Sequence, residues 1–96
     1  MGLSEVFRAL SDPTRRQILG LLRKGDMTAG EISERFPLAK STLSGHFNVL
    51  KQSGLITPER QGTRIVYSLN TSATEEAIAA VMSLFRIRAV RRERDR

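Results

Sequence analysis

The sequence predicts a mostly α-helical fold with one small β-hairpin, in the order helix, helix, helix, helix, strand, strand, helix. Three observations carry that expectation. Apolar residues recur at helical spacing in the stretches around 3–10, 18–22, 43–50 and 77–85. Start and stop signals separate these stretches: Asp12-Pro13, Gly25, Thr28 with Glu31, and Gly54. One segment alone, Ile65 to Leu69, alternates as a half-buried strand does. Ninety-six residues suffice for a single domain, read here as 1–90 with a basic tail at 91–96.

Each element follows from its local chemistry. Leu3, Val6, Phe7 and Leu10 lie on one face of a short first helix. Asp12 is placed to cap a second helix, and Pro13 suits the first helical position, where its missing N–H costs nothing. That helix runs to about Lys24, buries Ile18, Leu19 and Leu22, and stops at Gly25. Thr28 and Glu31 form a capping box for the third helix, with Met27 and Ile32 at the positions of a hydrophobic staple. Pro37 is expected to end it and to force a tight turn over Phe36–Ala39. The fourth helix spans about Lys40 to Gln52. Strands near Leu55–Glu59 and Arg64–Leu69 follow, joined by a tip at Arg60–Thr63, and Pro58 marks the first of them as an edge strand. Ser72 with Glu75 reads as a second capping box, opening a final helix with the stripe Ala77, Ile78, Val81, Met82 and Phe85.

Composition excludes several classes. There is no cysteine, hence no disulfide framework, thiolate metal site or thiol switch within these residues. The longest apolar run, Ala77–Met82, is far too short to span a membrane, and no leader-like segment is visible, so a cytoplasmic protein without membrane insertion is expected. One histidine, no Gly-rich phosphate loop and no nucleophile–base pair argue against an enzyme. The net charge is +6. It is concentrated in residues 86–96, where six Arg face only Glu93 and Asp95, so basicity by itself is a weak pointer to nucleic acid.

The stronger pointer is the stretch 28–56, a short helix, a turn and a second helix followed at once by a basic hairpin: a winged helix-turn-helix. On the fourth helix Leu43, Phe47 and Leu50 share one side. Ser41, Gly45, Asn48 and Gln52 take the opposite side, with Ser44 and Lys51 on one flank and Thr42 and His46 on the other. Small polar side chains let a helix sit deep in the major groove and hydrogen-bond base edges. Lys40 and Lys51 are suited to phosphates, which fix position rather than sequence. Arg60, Gln61 and Arg64 around Gly62 suit a wing laid on the backbone or minor groove, or a charged edge that protects a hairpin from association. For His46, a satisfied semi-buried ring outweighs a metal ligand and is compatible with a DNA contact. No metal or other cofactor is expected.

The first and last helices both carry apolar stripes, more than a small domain can bury. They are expected to pair across a two-fold axis through Leu3, Val6, Phe7, Ile78, Val81, Met82 and Phe85, forming a homodimer that holds two recognition helices ~34 Å apart. The competing arrangement is that they close one protomer's core.

On the segments ALSDPTRRQILGLL (9–22), TAGEISERF (28–36), STLSGHFNVLKQSGLI (41–56) and RQGTRIVYSLN (60–70), the chain resembles the ArsR family of bacterial winged-helix repressors over nearly its whole length. GDMTAGEI (25–32) and YSLNT (67–71) resemble its Sdp-type autorepressor subgroup. The resemblance implies a homodimer on an imperfect palindrome at a promoter. It also implies DNA contacts at Ser41, Thr42, Ser44, His46 and the wing arginines, dimerisation through the terminal helices, and release by a protein partner. Two departures stand out. The third helix lacks the Cys-x-Cys of metal-sensing members and the last helix lacks their Asp and His ligands, so metal sensing is not expected. Gly45 stands where the family often has a long polar side chain; glycine reads no base and costs ~1 kcal/mol of helix propensity. A rival function is a winged helix that binds protein or RNA and has only non-specific, salt-sensitive affinity for DNA.

Overall fold

A computed structural model describes residues 2–85. The Arg-rich segment 86–96, including Arg86, Arg88 and the expected basic tail, lies outside the described residues. The elements are α1 (Leu3–Leu10), α2 (Pro13–Lys24), β1 (Met27–Thr28), α3 (Ala29–Ser33), α4 (Lys40–Ser53), β2 (Ile56–Gln61), β3 (Arg64–Leu69) and α5 (Thr71–Leu84). The helical order and the hairpin match the sequence expectation. The winged arrangement differs in one respect: the sheet has three strands in the order β1-β3-β2. Met27 pairs with Tyr67 and Thr28 with Val66, both antiparallel. A two-residue strand has no periodicity to reveal it, and the same residues carry the staple and the cap of α3.

Local signals place most boundaries. Asp12 accepts from the N–H groups of Thr14 (2.8 Å) and Arg15 (3.2 Å), with Pro13 at the first helical position. The α1–α2 corner is closed by two arginines: Arg15 Nε donates to the Ala9 carbonyl and Arg16 Nη1 to that of Leu10. Both carbonyls belong to the last turn of α1, which has no intrahelical donors to offer them. Thr28 and Glu31 complete their capping box at 3.0 and 2.8 Å. Gly54, at φ 81°, closes α4 in the left-handed conformation that favours glycine.

Three expectations are corrected. Helix α3 ends at Ser33, four residues before Pro37, through tightened bonds from Arg35 N to Ile32 O and Phe36 N to Ser33 O; the proline follows the stop rather than causing it. The cap of α5 is Asn70, not Ser72: its side chain accepts from Ala73 N at 3.1 Å. Asn70 wins because its own N–H is held by the Leu55 carbonyl at 2.8 Å, which pins the chain at the end of the sheet and starts the helix there. The hairpin tip is narrower than expected, because Gln61 still pairs with Arg64 and only Gly62 and Thr63 turn. Gly62, at φ 66°, supplies the left-handed residue such a turn requires.

One core holds these elements together. Val6, Ala9, Ile18, Leu22, Ile32, Leu43, Phe47, Leu50, Leu55, Ile56, Tyr67 and Ala77 form a single buried cluster, with Leu19 packed half-buried against it. Phe47 of α4 stacks on Tyr67 of β3 with ring centroids 4.6 Å apart, so the recognition-type helix and the wing share an aromatic joint. Burial pushes the Tyr67 phenol above its ordinary value, which keeps it neutral there. Val6 is only 1% exposed. It therefore belongs to the protomer core, and the expectation that it lines a pairing surface is corrected.

Candidate nucleic-acid interface

The outward surface of α4 is built from one periodicity. Burying Leu43, Phe47 and Leu50 turns Ser41, Thr42, Ser44, Gly45, Asn48, Lys51 and Gln52 to solvent. None of the side chains of Ser41, Thr42, Ser44 and Asn48 enters a hydrogen bond among the described residues; the side-chain bonds of α4 are made by His46, to Arg15, and by Ser53, to the Leu50 carbonyl and the Leu55 N–H. These groups keep their donors and acceptors for an external partner. At Gly45 nothing lies within 4 Å of the place a Cβ would occupy, so packing does not explain this glycine.

The N-terminus of α4 differs electrostatically from the others. Asp12, Thr28 and Asn70 cap α2, α3 and α5 through their side chains, and α1 has Glu5 in its first turn. Helix α4 has Ala39 at its N-cap, no side-chain cap bond and no acid in its first turn, and it begins with Lys40. A cation at the positive end of the helix dipole opposes helix stability. Its unfilled N–H groups and Lys40 together suit a phosphate oxygen, which can cap the helix as a side chain does elsewhere. The sequence already contained this signal, in the absence of a capping residue at 39.

The wing is held next to α4 by the Phe47–Tyr67 stack, with Ile56 at the start of β2 buried in the core. Arg60, Gln61 and Arg64 are exposed at its distal end. Pro58 pairs opposite Tyr67 in β2, an edge strand of the sheet, where its missing donor leaves no gap in the ladder.

His46 is placed differently from its neighbours. Its side chain is 15% exposed, Nδ1 lies 3.1 Å from Arg15 Nη1, and Nε2 lies 3.9 Å from Asp12 Oδ2. Both ring nitrogens face α2, so the ring is turned toward the body rather than outward with Ser44 and Asn48. Asp12 is held below the ordinary value of 3.8: partial burial works to raise it, and the Arg15 N–H, the His46 ring, the Thr14 N–H and the Arg15 guanidinium together outweigh that. The Arg15–His46 contact was not legible in sequence, because no periodicity links residues 31 positions apart. Among the described residues, no three His, Cys, Asp or Glu side chains come together in a way that could hold a metal ion.

The apolar stripes of the terminal helices remain largely uncovered. Phe7 is 47% exposed, Ile78 56%, Met82 44% and Phe85 68%, while Leu3 and Val81 are half-buried. A groove of about 420 Å³ runs between α1, α2 and α5, lined by Leu10, Leu19, Ile78, Val81 and Met82 among others. No helix of the described residues is long and apolar enough to cross a membrane.

Comparison with known proteins agrees with this geometry. Residues 12–57 match the model of the bacterial regulatory protein arsR family. The chain is 51% identical to the transcriptional repressor SdpR of Bacillus subtilis (strain 168) over 76 residues, covering 79% of this chain and 84% of that one. It is 38% identical to the arsenical resistance operon repressor of Staphylococcus xylosus over 68 residues, covering 71% and 65%. Among solved structures, an ArsR family transcriptional regulator superposes with a TM-score of 0.74 at 32% identity, covering 90% of this chain and 98% of that one.

Proposed function

The chain belongs to the arsR family of bacterial regulatory proteins and is a DNA-binding transcriptional repressor, and from that premise we propose how it acts: as a homodimer on a palindromic operator, its own promoter included, with no metal cofactor. The observation that carries this reading is the outward face of α4. It offers small polar side chains with no hydrogen-bond partner among the described residues, on a helix whose N-terminus has no side-chain cap and carries Lys40. Ser41, Thr42, Ser44 and Asn48 are assigned to base edges. Lys40, Lys51, Arg60 and Arg64 are assigned to phosphates, with Gln61 beside them at the wing. His46 is assigned to support of α4. Dimerisation is assigned to Phe7, Ile78, Met82 and Phe85, with Leu3 and Val81 at the margin.

The test is binding of the purified chain to its own upstream DNA and to scrambled DNA of equal length, over a salt series, with and without a metal chelator. A preference of ~10³-fold or more for the native fragment, unchanged by chelator, supports a metal-independent autorepressor. Equal binding to both fragments that fades steeply with salt overturns it. Phosphate contacts alone would then remain, and a protein- or RNA-binding role would take its place. Substituting Ser44 and Asn48 together sharpens the test, since a reader of sequence loses specificity with its fold intact.

A further inference from the structure

We propose that Arg15 is a positioning residue for DNA recognition, tying the C-terminal end of α1 to the middle of α4 and so setting the spacing at which two copies of α4 meet an operator. The proposal rests on the dimeric DNA-binding reading above. Its observation is the set of contacts made by one guanidinium. Nε donates to the Ala9 carbonyl at 3.0 Å, Nη2 donates to the Arg8 carbonyl at 2.7 Å and to Ser11 Oγ at 3.4 Å, and Nη1 reaches His46 Nδ1 at 3.1 Å. Arginine has only donors, so Nδ1 is the acceptor in this contact, and Nε2 is the ring nitrogen that faces Asp12. A planar fork can satisfy two helices at once because its donors have fixed relative directions; a lysine ammonium on a single point cannot.

The two ends of this joint are the ones that matter for an operator. His46 lies two residues from both Ser44 and Asn48, on the same helix. Helix α1 carries Phe7, which is exposed and is assigned above to the partner copy. Apolar packing between α1 and α4 is non-directional and allows small rotations, whereas a shared set of hydrogen bonds favours one inclination. Arg15 is half-buried with its donors engaged, which argues against a role as a direct phosphate ligand.

The experiment uses the full chain and an operator duplex recovered by selection from random DNA, with the half-site spacing then changed by one or two base pairs. The wild-type chain is expected to favour one spacing. Arg15→Lys and Arg15→Ala are expected to flatten that preference by about tenfold, the scale of one charge-assisted hydrogen bond. Affinity for an isolated half-site and dimer association are expected to stay within about twofold of wild type. His46→Ala removes only the α4 end of the joint and is expected to flatten the preference equally, so it carries the test if an Arg15 variant fails to fold. His46→Asn, whose Oδ1 can accept from Arg15, is expected to restore it. An unchanged spacing preference in Arg15→Lys and His46→Ala overturns the proposal, as does a parallel loss on half-site and full operator. If the wild-type chain selects no sequence at all, the DNA reading itself fails and this proposal falls with it; that result is visible before any variant is made.

Discussion

Asp12 serves two groups at once, the first N–H groups of α2 and, at longer range, the ring of His46. Because its carboxyl is held below its ordinary value in the folded chain, its ionised form favours folding. That contribution is complete above 3.8 and is lost as pH falls through the lower folded-state value. Asp12→Asn keeps an acceptor at the cap and removes the titration. Its urea midpoint is therefore expected to fall less than that of the wild type between about pH 6 and about pH 3. The glycines inside helices give a second residue-level prediction. Gly20 and Gly45 both lie mid-helix with nothing within 4 Å of a built Cβ. Alanine at either site is expected to stabilise the fold by ~1 kcal/mol in denaturant titration. Gly45→Ala is expected, in addition, to weaken operator binding in a gel-shift titration if the α4 backbone sits deep in the groove. The capping role of Asp12 was legible from the Asp-Pro pair alone. The partner of Arg15 was not, because its contacts join segments remote in sequence.

The elements divide by how local their causes are. Helices α1, α2 and α4 match their sequence reading nearly to the residue, since periodicity and terminal residues act within one or two turns. The start of α5 was misread because two candidate caps, Asn70 and Ser72, stand two residues apart, and only the Leu55 carbonyl decides between them. Asn70→Ala is expected to cost ~1 kcal/mol in thermal or chemical unfolding, and Ser72→Ala close to nothing. Strand β1 was missed for a similar reason: two residues pair with β3 only once the hairpin is formed. The wing's own chemistry was legible, with Pro58 at an edge and Gly62 in the turn. Replacing Arg60 and Arg64 together with alanine is expected to weaken binding to all duplexes alike. It should also reduce the slope of log affinity against log salt by about two if each arginine neutralises one phosphate, measured by fluorescence anisotropy.

At the scale of the whole molecule, an uncovered apolar surface and an uncapped recognition-type helix are found in one small chain. Phe7, Ile78, Met82 and Phe85 are exposed while α1 and α5 also close the protomer core through Val6, Ala9, Ala73 and Ala77. One face of each terminal helix is therefore internal and the other is open, so closing one protomer's core accounts for only part of their apolar surface. Ile78→Glu with Met82→Glu is expected to shift the chain toward monomer in sedimentation velocity. It should also lower affinity for a two-half-site operator far more than for a half-site, with helicity by circular dichroism retained. By itself, the sequence determined the helical order, most caps and stops, the polar outer face of α4 and the basic wing, because these depend on periodicity and on neighbours within a turn. Only the tertiary structure decided that Val6 is core, that His46 turns inward to Arg15, that Asn70 starts α5 and that Met27–Thr28 forms a third strand. Each of these is a choice between locally equivalent options, settled by a partner brought near only when the chain is folded.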